Sequence, residues 1–432
     1  MRPPTLLHLT WRSVCNRGLS AALTVIAVAL AVAMLLGVER LRHDARAGFA
    51  QTLSGTDLVV GARGGAVQLL LHAVFHMGDA THNVSWRSLQ QIAAMPQVAW
   101  LVPVVLGDSH RGFRVVGTTP ELFARYRHGD RRALAFAAGR PFAAVEGDNF
   151  AAVFEAVVGA EVAARFGYRP GEHIVLSHGS GAEGGGVIAD HADKPFTVVG
   201  VLARSGTPLD RAVLVNLEGI EAIHLEWQGG MPMPGVRIAP EQVRKFDLAP
   251  KAVSAALVGL HNRVAVFRVQ RAINGFADEP LSAILPGATL QELWGLVGIA
   301  ERALLAVSAL VVAVGLAGLV AVVVASLGER RRELAILRAL GAGPWQILGL
   351  LALESVLLAA AGIVAGVALT HGAVALAAPW LAEYGLAVGA GWPGASEWAL
   401  IGAVFAASLV ASLVPGVRAY RYSVADGMTI RI

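Results

Sequence analysis

Between Arg17 and Glu39 the chain runs for 21 residues, Gly18–Val38, without a charged side chain. Similar windows recur at Ala303–Gly328, at Ile347–His371 with Glu354 near its start, and at Trp398–Val417, bracketed by Glu397 and Arg418. At about 1.5 Å per helical residue, each can cross a hydrocarbon core of roughly 30 Å. Burying four such helices in a water-soluble protein would need a far larger domain around them. A mean hydropathy of +0.58 and a charged fraction of 15% point the same way. The windows predict an α-helical membrane protein with four transmembrane helices, at 18–38, 296–327, 347–371 and 397–417. A large α+β domain, 39–290, is inserted between the first two.

Arginines set the expected orientation. Arg2, Arg12 and Arg17 precede the first span, Arg330, Arg331, Arg332 and Arg338 fill the loop 328–345, and Arg418, Arg421 and Arg431 follow the fourth span. The connection 372–396 has neither Lys nor Arg. Both termini (1–17 and 418–432) and the 328–345 loop are therefore expected in the cytoplasm, and 39–290 outside it. These arginines account for much of the formal +4 charge, which is not read as a nucleic-acid surface. The run 18–38 exceeds the apolar core of a signal peptide, which favours a retained anchor. Residues Trp11, Arg12, Cys15 and Leu19 suggest an amphipathic approach to it. Cys15 is the sole cysteine, so the external domain has no disulfide to draw on and rests on its packed core.

Within 39–290, strands are predicted at Asp57–Gly61, Val98–Val105, Phe113–Gly117, Ala156–Gly159, Ile174–Leu176, Pro195–Leu202, Ala212–Val215 and Ala252–Leu257. Helices are predicted at Ser85–Met95, Glu121–Tyr126, Ala160–Phe166 and Asn262–Phe276. Short mixed elements of this kind suggest one α+β domain or two lobes.

Gly328–Trp345, GERRRELAILRALGAGPW, places Leu334, Ile336, Leu337 and Leu340 among Arg330, Arg331, Arg332, Glu333 and Arg338 at helical spacing. Gly341 and Gly343 stop that helix, and Pro344 opens the next segment. A cationic amphipathic helix tied at both ends to membrane spans lies on the membrane face or docks into a partner; an ordinary basic loop is the plainer alternative. Gly362 and Gly366 form a G-x-x-x-G in the third span, suited to close helix approach either between two copies of the chain or within one. Glu354, one or two turns inside that span, suits a structural ion pair or a role in transmitting movement.

The glycine-rich Gly179–Gly186 has no following Lys-Ser/Thr, and no G-x-x-x-x-G-K-[ST], G-x-S-x-G or H-E-x-x-H pattern occurs, so no catalytic residue is assigned. Eleven of the thirteen histidines fall within 39–290. On a helix His72, His76 and Asp79 would share a face, with His82 close by, a nitrogen and oxygen set suited to zinc, although Gly78 works against an unbroken helix. His178, Asp190 and His191 make a looser second group; exposed or hydrogen-bonded histidines are the plainer reading of both.

The chain resembles an FtsX-like permease, the membrane subunit of MacB-type (type VII) ABC transporters. The resemblance rests first on Glu329, Arg330, Arg332, Glu333, Leu334, Ala339, Gly341 and Ala342, similar to the family's E-R-x-R-E-hydrophobic-x-x-x-x-A-x-G-A pattern. It extends to Asp57–Gly61, PFTVVGVL at 195–202, Gly206–Asp210, and Pro415, Arg418 and Ala419, with Ser423 where the closing motif usually has proline. The resemblance implies that Glu329, Arg330, Arg332, Glu333, Leu334, Leu337, Arg338 and Gly341 belong to a coupling helix contacting a separate cytoplasmic ATPase dimer, which brings the ATP and magnesium. It also implies a second permease copy, homodimeric or heterodimeric, in the bacterial inner membrane. An external adaptor or substrate-delivery protein, and mechanotransmission to the external domain for export or extraction of an envelope substrate, complete the expectation. Two alternatives are a regulatory membrane protein that activates an envelope enzyme, and a component of a zinc-linked envelope system.

Overall fold

A computed structural model describes residues 18–420 apart from 53, 79–81, 146–148, 180–188, 229–230, 234–237, 330–335, 337, 340, 384–387 and 390. The chain divides into two compact units, one formed by its two ends up to Arg46 and from Val297, the other Ala47–Leu296.

Helix α1, Gly18–Gln51, is 34 residues long and outruns the apolar window that predicted it. Charge ends the window but not the helix. Glu39 and Arg42 pair at 2.7 Å, one helical turn apart, and Arg46 pairs with Glu301 at 2.5 Å. The second unit then follows as β1 (Leu58–Ala62), α2 (Ala66–Phe75), α3 (Trp86–Ala93), β2 (Val98–His110), β3 (Phe113–Thr118), α4 (Glu121–Arg125), β4 (Phe136–Gly139) and β5 (Glu155–Val158). It continues with α5 (Ala160–Phe166), β6 (Phe196–Leu202), β7 (Ala212–Asn216), α6 (Leu217–His224), β8 (Ala255–Leu260), α7 (Val266–Asn274) and β9 (Leu281–Ile284). The remaining long helices are α8 (Pro286–Glu329), α9 (Pro344–Glu383) and α10 (Ala395–Tyr420).

The strands form a mixed sheet whose main path runs β9–β1–β8–β2–β3–β7–β5–β6–β4. Every residue of β5, β7 and β8 is buried, as expected for strands covered on both faces, and their sequences are nearly continuous apolar runs. The 13-residue β2 pairs with β8 through its first half and with β3 through its second, so one strand serves both parts of the core. Its far end, Asp108–Ser109, accepts a further two-residue strand, Ser177–His178, in antiparallel register. That strand in turn pairs with Ala189–Asp190.

Among the described residues four helices are long and apolar enough to cross a membrane: Gly18–Phe49, Pro286–Ala325, Trp345–Leu381 and Ala395–Pro415. Within their unit Val28, Val32, Leu35 and Leu36 of α1 pack with Leu319 and Val323 of α8, Leu358 and Ile363 of α9, and Val404 of α10. Buried hydroxyls in these helices return to their own backbone. Ser308 donates to Leu304 O at 2.9 Å and Ser355 to Leu351 O at 3.0 Å, so no water is needed to satisfy them.

Candidate functional site

Most of the cationic stretch between the second and third long helices lies outside the described residues: Arg330, Arg332, Glu333, Leu334 and Leu337 are among them. Glu329 is the last residue of α8. Gly341 has φ +95°, in the left-handed region that favours glycine, and its N–H donates to Arg338 O at 3.0 Å. The Gly343 N–H is taken by the side chain of Gln346 at 3.0 Å, at the entry to α9.

The glycine pair of the third span packs within the chain. A Cβ on Gly362 would fall 2.6 Å from Val28 Cβ, and one on Gly366 would fall 2.8 Å from both Ala29 O and Val32 Cβ. Both glycines therefore seat α9 against α1. Glu354, in α9, is buried.

Of the first histidine group, Asp79 lies outside the described residues. His72 is buried in α2, with Nδ1 3.2 Å from Gly78 O. The helix stops at Phe75 and His76 caps it with φ 55°, so the helical face that carries His72 does not continue to position 76. Burial, with His72 and Arg114 nearby, pushes His76 down to about 4, leaving it neutral near pH 7. His82 is exposed.

A different group converges. Asp108, His178, His191 and His224 each offer a ligand atom, and the four atoms lie within 4.8 Å of one another. Strand register explains the first pair, because His178 sits directly opposite Asp108 across the ladder. His191 follows the strand Ala189–Asp190 and is held by its own N–H, which donates to Leu176 O at 2.8 Å. His224 ends α6, where its Nδ1 lies 2.9 Å from Ile220 O one turn back. That bond assigns a proton to Nδ1 and aims Nε2 into the group.

Distances within the group are short. Asp108 Oδ1 stands 3.0 Å from His178 Nδ1 and 3.4 Å from His224 Nε2, and those two nitrogens are 3.0 Å apart. The indole of Trp227 packs on all three imidazoles, with ring centroids 4.6, 5.0 and 5.6 Å from those of His178, His191 and His224. Lys194, buried, bonds Glu226 at 2.9 Å and Asp193 at 2.7 Å, tying the turn after His191 to the segment after α6. Burial works to raise Asp108, but hydrogen bonds from His178 and His224 outweigh it and hold the carboxylate at about 2. Burial and the neighbouring His224 push His191 down to about 4. Burial opposes the charged form of His224 as well, but the bond to Asp108 and its charge carry that ring upward.

The sequence pointed to His178 and His191 but joined them to the wrong carboxylate. Asp190 accepts from Ser177 Oγ at 2.7 Å, and its place is taken by Asp108. Asp108 and His224 are separated from His178 by 70 and 46 residues, and no local spacing announces them.

No curated protein matches the chain in a sequence comparison. Among solved structures it is similar to the periplasmic region of MacB from Actinobacillus actinomycetemcomitans, at 10% identity and a TM-score of 0.31, covering 55% of this chain and 92% of that one. It is also similar to the extracellular domain of the noncanonic ABC-type transporter YknZ from Gram-positive bacteria, at 11% identity and a TM-score of 0.28, covering 53% and 99%. The family assignment rests on family models. The MacB-like periplasmic core domain matches residues 21–273 and the FtsX-like permease C-terminal matches 305–424, so the two together take in the α/β domain and the helices that follow it. With four membrane-length helices and that domain placed between the first two, the chain belongs to the MacB/FtsX-like family of ABC transporter permeases.

Proposed function

We propose that the chain works as one permease subunit beside a separate cytoplasmic ATPase, and that ATP-driven movement is carried through its long helices to the α/β domain outside the membrane. Helix length is the observation that carries this reading. At 34 and 44 residues, α1 and α8 span about 51 and 66 Å at 1.5 Å per residue, well beyond a hydrocarbon core of roughly 30 Å. Both helices cross the residue boundaries between the two compact units without a break. The arginine distribution supports an inner-membrane orientation with both termini and the 328–345 segment in the cytoplasm. The segment from Glu329 to Gly341 then meets the ATPase dimer, which supplies nucleotide and magnesium. A second permease copy completes the assembly, with an external adaptor or delivery protein presenting the envelope substrate for export or extraction.

The test is co-purification with the candidate ATPase, comparing the natural protein with the Glu329→Ala/Arg332→Ala variant. The variant is expected to insert into the membrane normally while ATPase affinity falls roughly tenfold or more, the loss typical when interface anchors are truncated. Undiminished binding and stimulated hydrolysis would remove this segment from the coupling role.

A further inference from the structure

We propose that Asp108, His178, His191 and His224 bind a divalent transition-metal ion, zinc by the character of the donors, and that the ion ties the Ser177–His178 strand and His191 to β2 and to the end of α6. The site is independent of which substrate the permease moves.

Geometry comes first. Four donors about 2.0–2.2 Å from a tetrahedral zinc ion stand roughly 3.3–3.6 Å from one another. Asp108 Oδ1, His178 Nδ1 and His224 Nε2 are separated by 3.0, 3.4 and 3.0 Å, already at that scale, and the fourth donor lies within 4.8 Å. A shift of about an ångström closes the tetrahedron. Three imidazoles and one carboxylate form a nitrogen-rich set that suits zinc, and copper or nickel by affinity order, over calcium or magnesium, which prefer oxygen.

The surroundings suit a bound cation. With His224 Nδ1 bonded to Ile220 O, its Nε2 faces the Asp108 carboxylate at 3.4 Å. His178 Nδ1 stands 3.0 Å from both atoms, so the three donors crowd a single point where a proton or a metal ion bridges them. His191 is 3% exposed and its Nε2 finds no hydrogen-bond partner among the described residues, although buried polar atoms normally have one. The Ile220 carbonyl behind His224 is the kind of supporting contact that orients a ligating imidazole and sets its tautomer. Trp227 shields the three rings, and the buried Lys194 fixes the turn that carries His191. Most of the arrangement is therefore in place before an ion arrives, which lowers the ordering cost of binding.

The experiment uses the full-length chain, free of any affinity tag, in detergent micelles. After chelator stripping, zinc is titrated against a chromophoric competitor, metal content is measured after gel filtration, and cobalt is substituted to read coordination from its visible absorption. One zinc per chain and the intense absorption of tetrahedral cobalt are expected. The His191→Ala/His224→Ala variant should lose that equivalent, with affinity falling by more than the ten- to hundredfold typical of a supporting-shell loss. Asp108→Asn, which keeps the side chain's size, should weaken binding and guards against loss by misfolding. His72→Ala/His76→Ala should keep the full equivalent. Natural protein that takes up no zinc overturns the proposal. So does metal retained by both cluster variants, or metal lost only with His72 and His76. ATPase co-purification is read separately, so failure here leaves the permease reading where it stands.

Discussion

Leucine at Gly366 is expected to force α9 away from α1 and lower the unfolding midpoint of the chain in detergent sharply, whereas alanine at Gly372 of the same helix should leave it level or slightly raised. At Gly366 the first atom of any side chain meets Ala29 O and Val32 Cβ at 2.8 Å, and at Gly362 it meets Val28 Cβ at 2.6 Å. One obstacle is a backbone oxygen, which cannot rotate out of the way. Alanine at Gly366 sets two effects against each other. Helix propensity favours alanine by about 1 kcal/mol, but overpacking costs typically about 1–3 kcal/mol, so the net sign is destabilising. Leucine adds three more carbons to the same collision and should pass the upper end of that range. At Gly372 nothing lies within 4 Å of the added carbon, and only the propensity term remains. Titration with a denaturing detergent, followed by helical circular dichroism, reads both. An unchanged midpoint for Gly366→Leu, with loss confined to self-association, would show that the glycines serve a second copy of the chain instead.

The membrane architecture was legible because apolar windows are a composition signal, and the chain holds four of them. Helix ends were not. Glu39, Arg40, Arg42, Asp44 and Arg46 close the first window, yet α1 runs on to Gln51 through ion pairs that composition cannot reveal. In the α/β domain, runs such as FTVVGVL and AVLVN announced β6 and β7 from branched residues alone. The eight-residue α6 passed unannounced, although it supplies His224. The histidine group shows where a linear reading stops. His178 and His191 bracket one connection and could be linked by eye, but Asp108 reaches them only through the antiparallel register of Ser177–His178 with β2. The first group met a different obstacle. It required helical spacing through His76, and a left-handed cap at that residue ends the helix before it.

Removing Arg40 is the second change expected to cost heavily. The residue is 5% exposed, and its guanidinium meets Glu397 at 3.1 and 3.2 Å while donating to Gly391 O at 2.8 Å. Glu397, 6% exposed, also accepts the Gly394 N–H at 2.7 Å and so closes the first turn of α10. Truncation to Arg40→Ala strands a buried carboxylate, a loss of about 3–5 kcal/mol for a pair of this kind. The worth of the intact pair is a separate quantity, because both charges were desolvated to form it and Arg40 Nη1 has no partner among the described residues. Arg40→Met/Glu397→Met removes both charges together. It forfeits the bonds to Gly391 and Gly394, about 1 kcal/mol each, but leaves no bare charge, so the double variant should be more stable than either single one. A double-mutant cycle on unfolding midpoints measures that non-additivity. Arg40→Lys keeps the charge without the two-pronged geometry and should fall between. If the singles and the double simply add, the pair is decoration. If the double variant folds well yet no longer couples to ATP hydrolysis, the bond between Arg40 of α1 and the start of α10 belongs to the path along which the proposed movement travels.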